Sequence, residues 1–154
     1  MGLSEVSNTL WRERQLLELL LFKLEEEQLV LAAGRVRWLN HASREVEIVL
    51  DEIKVAEMAR AIEVEAVAAE LGLAPGPTLR QLASGAPDPW QGILDAHRQA
   101  FLTATHEILS LAQMNREILA RGQKTASDTL AWLGDHLADG YSAAGSAPSL
   151  RTRL

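Results

Sequence analysis

Histidines and carboxylates are the side chains from which a helical protein would build a metal centre, through Glu-x-x-His pairs on facing helices. The histidines stand at positions 41, 97, 106 and 136, and the residues three positions before them are a tryptophan, two leucines and a threonine. The chain has no cysteine, which excludes disulfides and thiolate ligands. We therefore predict no metal site and no cofactor, with His97 as a partly buried polar residue of the core.

Sequence patterns typical of nucleophilic or phosphate chemistry are also missing. Gly-x-Ser-x-Gly, Gly-x-x-x-x-Gly-Lys and Gly-x-Gly-x-x-Gly do not occur in the sequence. The run of three carboxylates at Glu25–Glu27 would fan out around a helix, so we expect a solvated face there. Long helices also form few concave pockets, which catalysis requires. The protein is predicted not to be an enzyme.

The charge balance disfavours nucleic acid as a partner. The net charge is −6 and the isoelectric point is about 5.2, whereas a protein that neutralises phosphates needs a basic face. A local basic spot is expected to be a salt-bridged surface, and it consists of Arg12, Arg14, Arg35, Arg37 and Arg44. Residues 78–84 follow a turn as in a helix–turn–helix, but they are too short to enter a major groove. A DNA-binding regulator is kept as a lesser alternative.

Length and hydropathy indicate one domain. A chain of 154 residues with 47% hydrophobic residues has enough apolar surface for a core. We assign residues 1–139 to a helical bundle domain and residues 140–154, which are small and polar, to a flexible C-terminal tail. The most apolar run, Leu16–Phe22, is much shorter than the ~20 residues of a membrane span. With no visible secretory signal, the sequence predicts a cytoplasmic protein without membrane insertion.

Apolar side chains repeat every seven residues through three long segments, which predicts helices that cross at shallow angles. Leucines at 10, 17, 24 and 31 define the first segment, residues 4–33. The second, residues 36–71, carries Leu39, Val46 and Ile53, and its pattern then shifts phase through Ile62 and Val67. A helix of that length is about 54 Å long and cannot bury one face alone. We predict an all-α antiparallel bundle of three long helices, with a short extra helix in the connection between the second and third.

Helix ends are marked by local signals. Gly34 and Gly72 suit the left-handed position that follows a helix, and Pro75 prevents continuation of the second one. Thr78 and Gln81 have the spacing of a capping box, which predicts the short helix at 78–84. In Asp88-Pro89, an N-cap is followed by the first residue of the third long helix.

The third long helix carries two seven-spaced rows. One is formed by Leu94, Phe101, Ile108, Asn115 and Gly122, and the other by His97, Ala104, Leu111 and Ile118. A helix that reaches residue 133 would overhang the hairpin of the first two, and an overhanging apolar face favours a protein partner. The predicted partner-binding residues on this basis are Leu111, Met114, Ile118, Leu119, Leu130, Trp132 and Leu133.

Several short motifs follow one another along residues 6–135. The first helix ends in an acidic stretch and a Leu-x-Ala-Gly-like break, at residues 24–34. The second carries Glu57 and Arg60 as Glu-x-x-Arg and closes with Leu-Gly and Thr-Leu-x-x-Leu, at 71–72 and 78–82. The third carries Asn-x-x-Ile-Leu, which begins at Asn115. In this order and spacing, the motifs resemble the FlgN family of flagellar export chaperones.

The resemblance implies a cytoplasmic, non-enzymatic chaperone for the hook–filament junction proteins FlgK and FlgL. Such a chaperone keeps the C-terminal helical segment of its cargo from aggregating and delivers the cargo to the export apparatus. By the motif, cargo binding maps onto Met114, Asn115, Ile118 and Leu119. The alternative is a helical scaffold or adaptor protein that self-associates through the same seam, and the sequence leaves a homodimer open.

Overall fold

The structure, a computed structural model, describes residues 2–122, and every regular element in that range is a helix. The elements are α1 (Gly2–Ala32), α2 (Val36–Glu70), α3 (Leu79–Gly85) and α4 (Trp90–Gly122). The predicted all-α class is confirmed, and α1, α2 and α3 begin and end within two residues of the predicted positions. Helix α4 begins within two residues of its predicted start, and its predicted end at residue 133 lies outside the described residues. Residues 123–154 lie outside the described residues, and the predicted C-terminal tail is among them.

Two glycines end the long helices of the hairpin as predicted. Gly34 and Gly72 have φ angles of 67° and 71°, a region that side-chain-bearing residues rarely adopt. After α2, the Leu73 N–H donates to the Ala68 carbonyl at 2.9 Å and the Gly72 N–H to the Ala69 carbonyl at 3.3 Å. The same pair of hydrogen bonds follows α1. This Schellman arrangement satisfies carbonyls that a helix end leaves without partners.

The connection between α2 and α4 is organised by a capping box. The Gln81 N–H donates to Thr78 Oγ1 at 3.1 Å, and the Thr78 N–H donates to Gln81 Oε1 at 2.8 Å. These are the two bonds that the sequence predicted for α3. Helix α4 begins at Trp90, one residue after the predicted Pro89, and the Ile93 N–H donates to the Pro89 carbonyl at 3.4 Å.

Helix α1 packs against both α2 and α4, and α3 packs against α4. Positions along α1 and α2 pair in opposite order, since Glu13 contacts Arg60 whereas Glu27 contacts Ser43. Positions along α1 and α4 pair in the same order, because Ser7 lies against His97 and Glu27 against Asn115. Among the described residues, α1 is therefore the central helix, since it packs against both other long helices.

The seven-spaced rows form the core. All four leucines of the α1 row are buried, as are Leu39, Val46 and Ile53 of α2 and Leu94, Phe101 and Ile108 of α4. Two expectations were wrong. Ile62 is exposed although the pattern placed it in the seam, because the α2 core row passes through Val64 and Val67 instead. Glu27 is buried rather than solvated, because Ser43 and Asn115 satisfy its carboxylate between the helices.

Candidate partner-binding surface

The predicted partner-binding residues divide between the core and the surface of α4. Met114 is exposed, and Leu111 and Ile118 are partly buried against the core. Asn115 and Leu119, predicted to be on the partner surface, are instead buried: Asn115 continues the core row against α1, and Leu119 belongs to the hydrophobic core. Leu130, Trp132 and Leu133 lie outside the described residues.

Asn115 and Glu27 together link three helices through buried hydrogen bonds. Asn115 Nδ2 donates to the Leu24 carbonyl at 3.0 Å and to Glu27 Oε1 at 2.9 Å. Ser43 Oγ of α2 donates to the other oxygen, Glu27 Oε2, at 2.8 Å. Burial raises the pKa of Glu27, while the bonds from Ser43 and Asn115 counteract this rise. Asn115 therefore fixes the position of α4 on the hairpin.

This contact also sets the position of α4 along the hairpin for the described residues. The overhang expected for a helix that reaches residue 133 falls on residues outside that range. His97 lies level with Ser7 and Arg14, and Asn115 lies level with Leu24 and Glu27. Because both helices rise by 1.5 Å per residue, the described end of α4 is level with the end of α1. Residues 111–122 thus lie beside α1 rather than beyond it.

A groove of about 370 Å³ runs between α1 and α4. Its walls are Trp11, Arg14, Gln15, Glu18 and Leu21 from α1, and Ala100, Thr103, Ala104 and Glu107 from α4. Helical periodicity carries the α4 wall onward, because Leu111 and Ile118 follow Ala104 at seven-residue steps and Met114 follows Glu107. The exposed and half-buried apolar residues of the predicted surface therefore extend one edge of this groove.

One end of the groove is stiffened by a buried histidine. The guanidinium of Arg14 donates to His97 Nδ1 at 3.3 Å, so Nε2 carries the proton and donates to Ser7 Oγ at 3.1 Å. The Arg14 guanidinium also lies 4.0 Å from the centre of the Trp11 ring, which meets the His97 ring edge-on at 5.2 Å. Burial, helped by the charge of Arg14, lowers the pKa of His97 to about 4. His97 is neutral at pH 7 and holds the Trp11 wall in place.

A second buried polar contact lies at the level of Glu13. Arg60 Nε is 3.3 Å from Glu13 Oε1, and both side chains are buried. The Arg60 guanidinium is 5.7 Å from the centre of the Phe101 ring. The Glu-x-x-Arg motif of the second helix thus places its arginine in the core, where it contacts side chains of both α1 and α4.

Sequence reasoning missed the α1 side of the groove. Trp11 and Leu21 stand outside the leucine row, and no local signal pairs them with α4. The α4 side could be predicted from the sequence, because Ala104, Leu111 and Ile118 belong to the second seven-spaced row. These three residues are partly buried, whereas Leu94, Phe101 and Ile108 of the first row are fully buried.

The described residues offer no metal centre of the kind considered above. No three His, Asp or Glu side chains between residues 2 and 122 come together as a metal ion requires. In the same part of the chain, none of the helices combines the length and apolar character needed to cross a membrane.

A sequence model of the family described as "FlgN protein" matches residues 1–149 of the chain. No similar curated protein and no similar solved structure was found. The family match covers all the described helices and both sides of the groove.

Proposed function

Because the chain belongs to the FlgN family, which consists of flagellar export chaperones, we propose that it binds FlgK and FlgL through the groove between α1 and α4. The cargo element is the C-terminal helical segment of each junction protein. Bound there, it is kept from aggregating until the cargo passes to the export apparatus. This role belongs to the cytoplasm and needs no catalytic group or cofactor.

The observation that carries the proposal is the half-buried row at the groove edge. Leu111 and Ile118 are packed against the core on one side and open on the other, and Met114 beside them is 48% exposed. Each apolar Å² removed from water contributes about 25 cal/mol. A cargo helix laid along this row gains that contribution, and the flexible thioether of Met114 adapts to its shape.

The groove also indicates what kind of helix fits. Its walls combine apolar Trp11, Leu21 and Ala104 with the carboxylates of Glu18 and Glu107. Arg14, the one cation among the described residues of these walls, is held by His97 and the Trp11 ring. An amphipathic cargo helix with an apolar stripe and a basic flank matches both features. In this arrangement the cargo helix adds a further helix to the bundle. Leu130, Trp132 and Leu133 are proposed to lengthen the same surface.

The test is isothermal titration of the protein with the C-terminal segments of FlgK and FlgL from the same organism. Met114→Glu places a charge on the groove edge and is expected to weaken binding more than tenfold without loss of helicity. Ile118→Glu is expected to do the same, and a loss of helicity in that variant alone would assign Ile118 to the core.

The matched control is Leu102→Glu. Leu102 is 37% exposed on the same helix but lies on the side away from the groove row, so its change should leave affinity intact. Equal binding by the wild type and Met114→Glu would exclude the groove as the site. If neither segment binds the wild type, the junction proteins are not its cargo.

A further inference from the structure

A second apolar surface lies on α2 and takes no part in the groove. Ile48, Val55 and Ile62 are 46%, 67% and 73% exposed, and Met58 between them is 68% exposed. The first three are seven residues apart, so they lie on one face of the helix, with Met58 beside them. We name these four residues the α2 stripe.

The α2 stripe faces away from the core. The residues of α2 that pack inward include Val49, Ile53, Val64 and Val67, which are all buried. Because each residue turns the helix by about 100°, the stripe residues fall on the side of α2 opposite these buried residues. Large apolar side chains at seven-residue spacing on an outer face are typical of a helix that pairs with another helix.

Charges at the two ends of the stripe have opposite signs. Arg37 and Arg44 are exposed before its first residue, and Glu65 and Glu70 are exposed after its last. Two copies of α2 in parallel would bring arginines against arginines and glutamates against glutamates. In antiparallel orientation, each basic end meets an acidic end. Charge complementarity therefore selects a second copy of this chain in the antiparallel arrangement.

We propose that the α2 stripe is the interface of a two-fold symmetric homodimer, with Val55 at the symmetry axis. Ile48 then faces Ile62 of the second copy, and Arg44 lies beside Glu65 of the second copy. The same patch serves both chains, as a two-fold interface requires. The dimer leaves the groove between α1 and α4 open, so it is compatible with cargo binding and does not depend on it.

The size of the contact predicts a weak dimer. From Arg44 to Ala66 the helix is about 33 Å long by its rise per residue. A single pair of helices of this length falls at the small end of specific interfaces, near or below about 1,200 Å². The expected dissociation constant is in the micromolar range. The dimer should therefore form and dissociate within an accessible concentration range.

Sedimentation equilibrium of the full chain, from about 1 to 500 μM, tests the proposal. The wild type should pass from monomer to dimer, and Val55→Lys should weaken the association more than tenfold because two like charges meet at the axis. Met114→Lys is the matched control, an exposed apolar residue on another helix, and should dimerise like the wild type. Circular dichroism confirms that each variant keeps its helicity.

Cross-linking tests the orientation, because the natural chain has no cysteine. With a short bis-maleimide, Val55→Cys should link to itself. Ile48→Cys should not, because its two copies would be about 21 Å apart along the helices. A mixture of Ile48→Cys and Ile62→Cys should link again. Self-linking of Ile48→Cys would show a parallel pair and overturn the model.

Charge reversal gives an independent check of the same geometry. Arg44→Glu and Glu65→Arg should each weaken dimerisation at least threefold, and the double variant should recover it. A wild type that stays monomeric at 500 μM, or a dimer unaffected by Val55→Lys, overturns the proposal. So does a loss of cargo binding in Val55→Lys, which would assign the stripe to the cargo instead.

Discussion

The buried ion pair between Glu13 and Arg60 yields a sharp prediction about stability. Glu13 is 0% and Arg60 is 1% exposed, and Nε lies 3.3 Å from Oε1, so water does not screen the pair. Arg60→Met keeps the length of the side chain but leaves a carboxylate buried without its guanidinium. Breaking a buried pair in this way costs about 3–5 kcal/mol.

That cost is a large part of the free energy of unfolding of a typical domain, which is about 5–15 kcal/mol. For a chain of this length, the melting temperature should fall by about 6–20 °C. The assay is urea unfolding followed by circular dichroism, in which the midpoint should drop without a change in slope. Lys54→Met is the matched control, because its ion pair with Asp51 is exposed and its loss should cost less than about 1 kcal/mol.

A double variant separates the pair from its surroundings. Glu13→Leu with Arg60→Met replaces both charges by apolar groups, and its stability should lie within about 1 kcal/mol of the wild type or exceed it. The coupling energy between the two changes should then reach at least about 2 kcal/mol. A single-variant cost below about 1 kcal/mol for Arg60→Met would refute the argument, since it would mean that water reaches Glu13.

Three further predictions concern His97, Asn115 and two glycines. The pKa of histidine is near 6.5 in the unfolded chain, whereas that of folded His97 is about 4. Acidification from pH 6.5 to pH 4 should therefore lower the free energy of unfolding by up to about 3 kcal/mol. Urea midpoints measured against pH should show this loss, and His97→Gln should remove it. Asn115→Ala should cost about 2–3 kcal/mol because the buried Leu24 carbonyl and Glu27 Oε1 lose their donor. The same change should raise the pKa of Glu27 further, and a carbon-13 NMR titration of that carboxyl would detect the rise. Gly72→Ala should cost about 1 kcal/mol because the φ angle of Gly72 is 71°. Gly92 lies inside α4 with open space around it, so Gly92→Ala should stabilise the protein by about 0.5–1 kcal/mol. Thermal melts of the two variants should therefore shift in opposite directions.

The elements could be predicted from the sequence because their signals are local. A leucine every seven residues specifies one helix face, whichever helix covers it. Gly34 and Gly72 mark helix ends through their own backbone, and Thr78 and Gln81 satisfy each other within one turn. None of these inferences needed knowledge of a partner helix, and the structure confirms each of them.

The candidate site was harder to predict because it depends on how the helices are aligned along one another. Three successive glutamates look alike in sequence, and only the positions of Ser43 and Asn115 bring Glu27 into the core. The position of residues 111–122 beside α1 was not predictable for the same reason, since it is set by contacts between residues far apart in the sequence. Met114 remains on the surface, whereas Leu119 does not.

Buried polar contacts at several levels along the bundle explain why only certain apolar faces remain outside. A slip of one helical turn between α1 and α4 would move them by 5.4 Å and break the bonds of His97 and Asn115 together. The cost of leaving such groups buried without partners is larger than the gain from covering one more apolar side chain. Helices α1 and α4 therefore cannot slide along one another to change the surroundings of Met114. Met114 stays available to a partner because the polar core holds α1 and α4 in one alignment, and Val55 stays available because it lies on the face of α2 opposite the core.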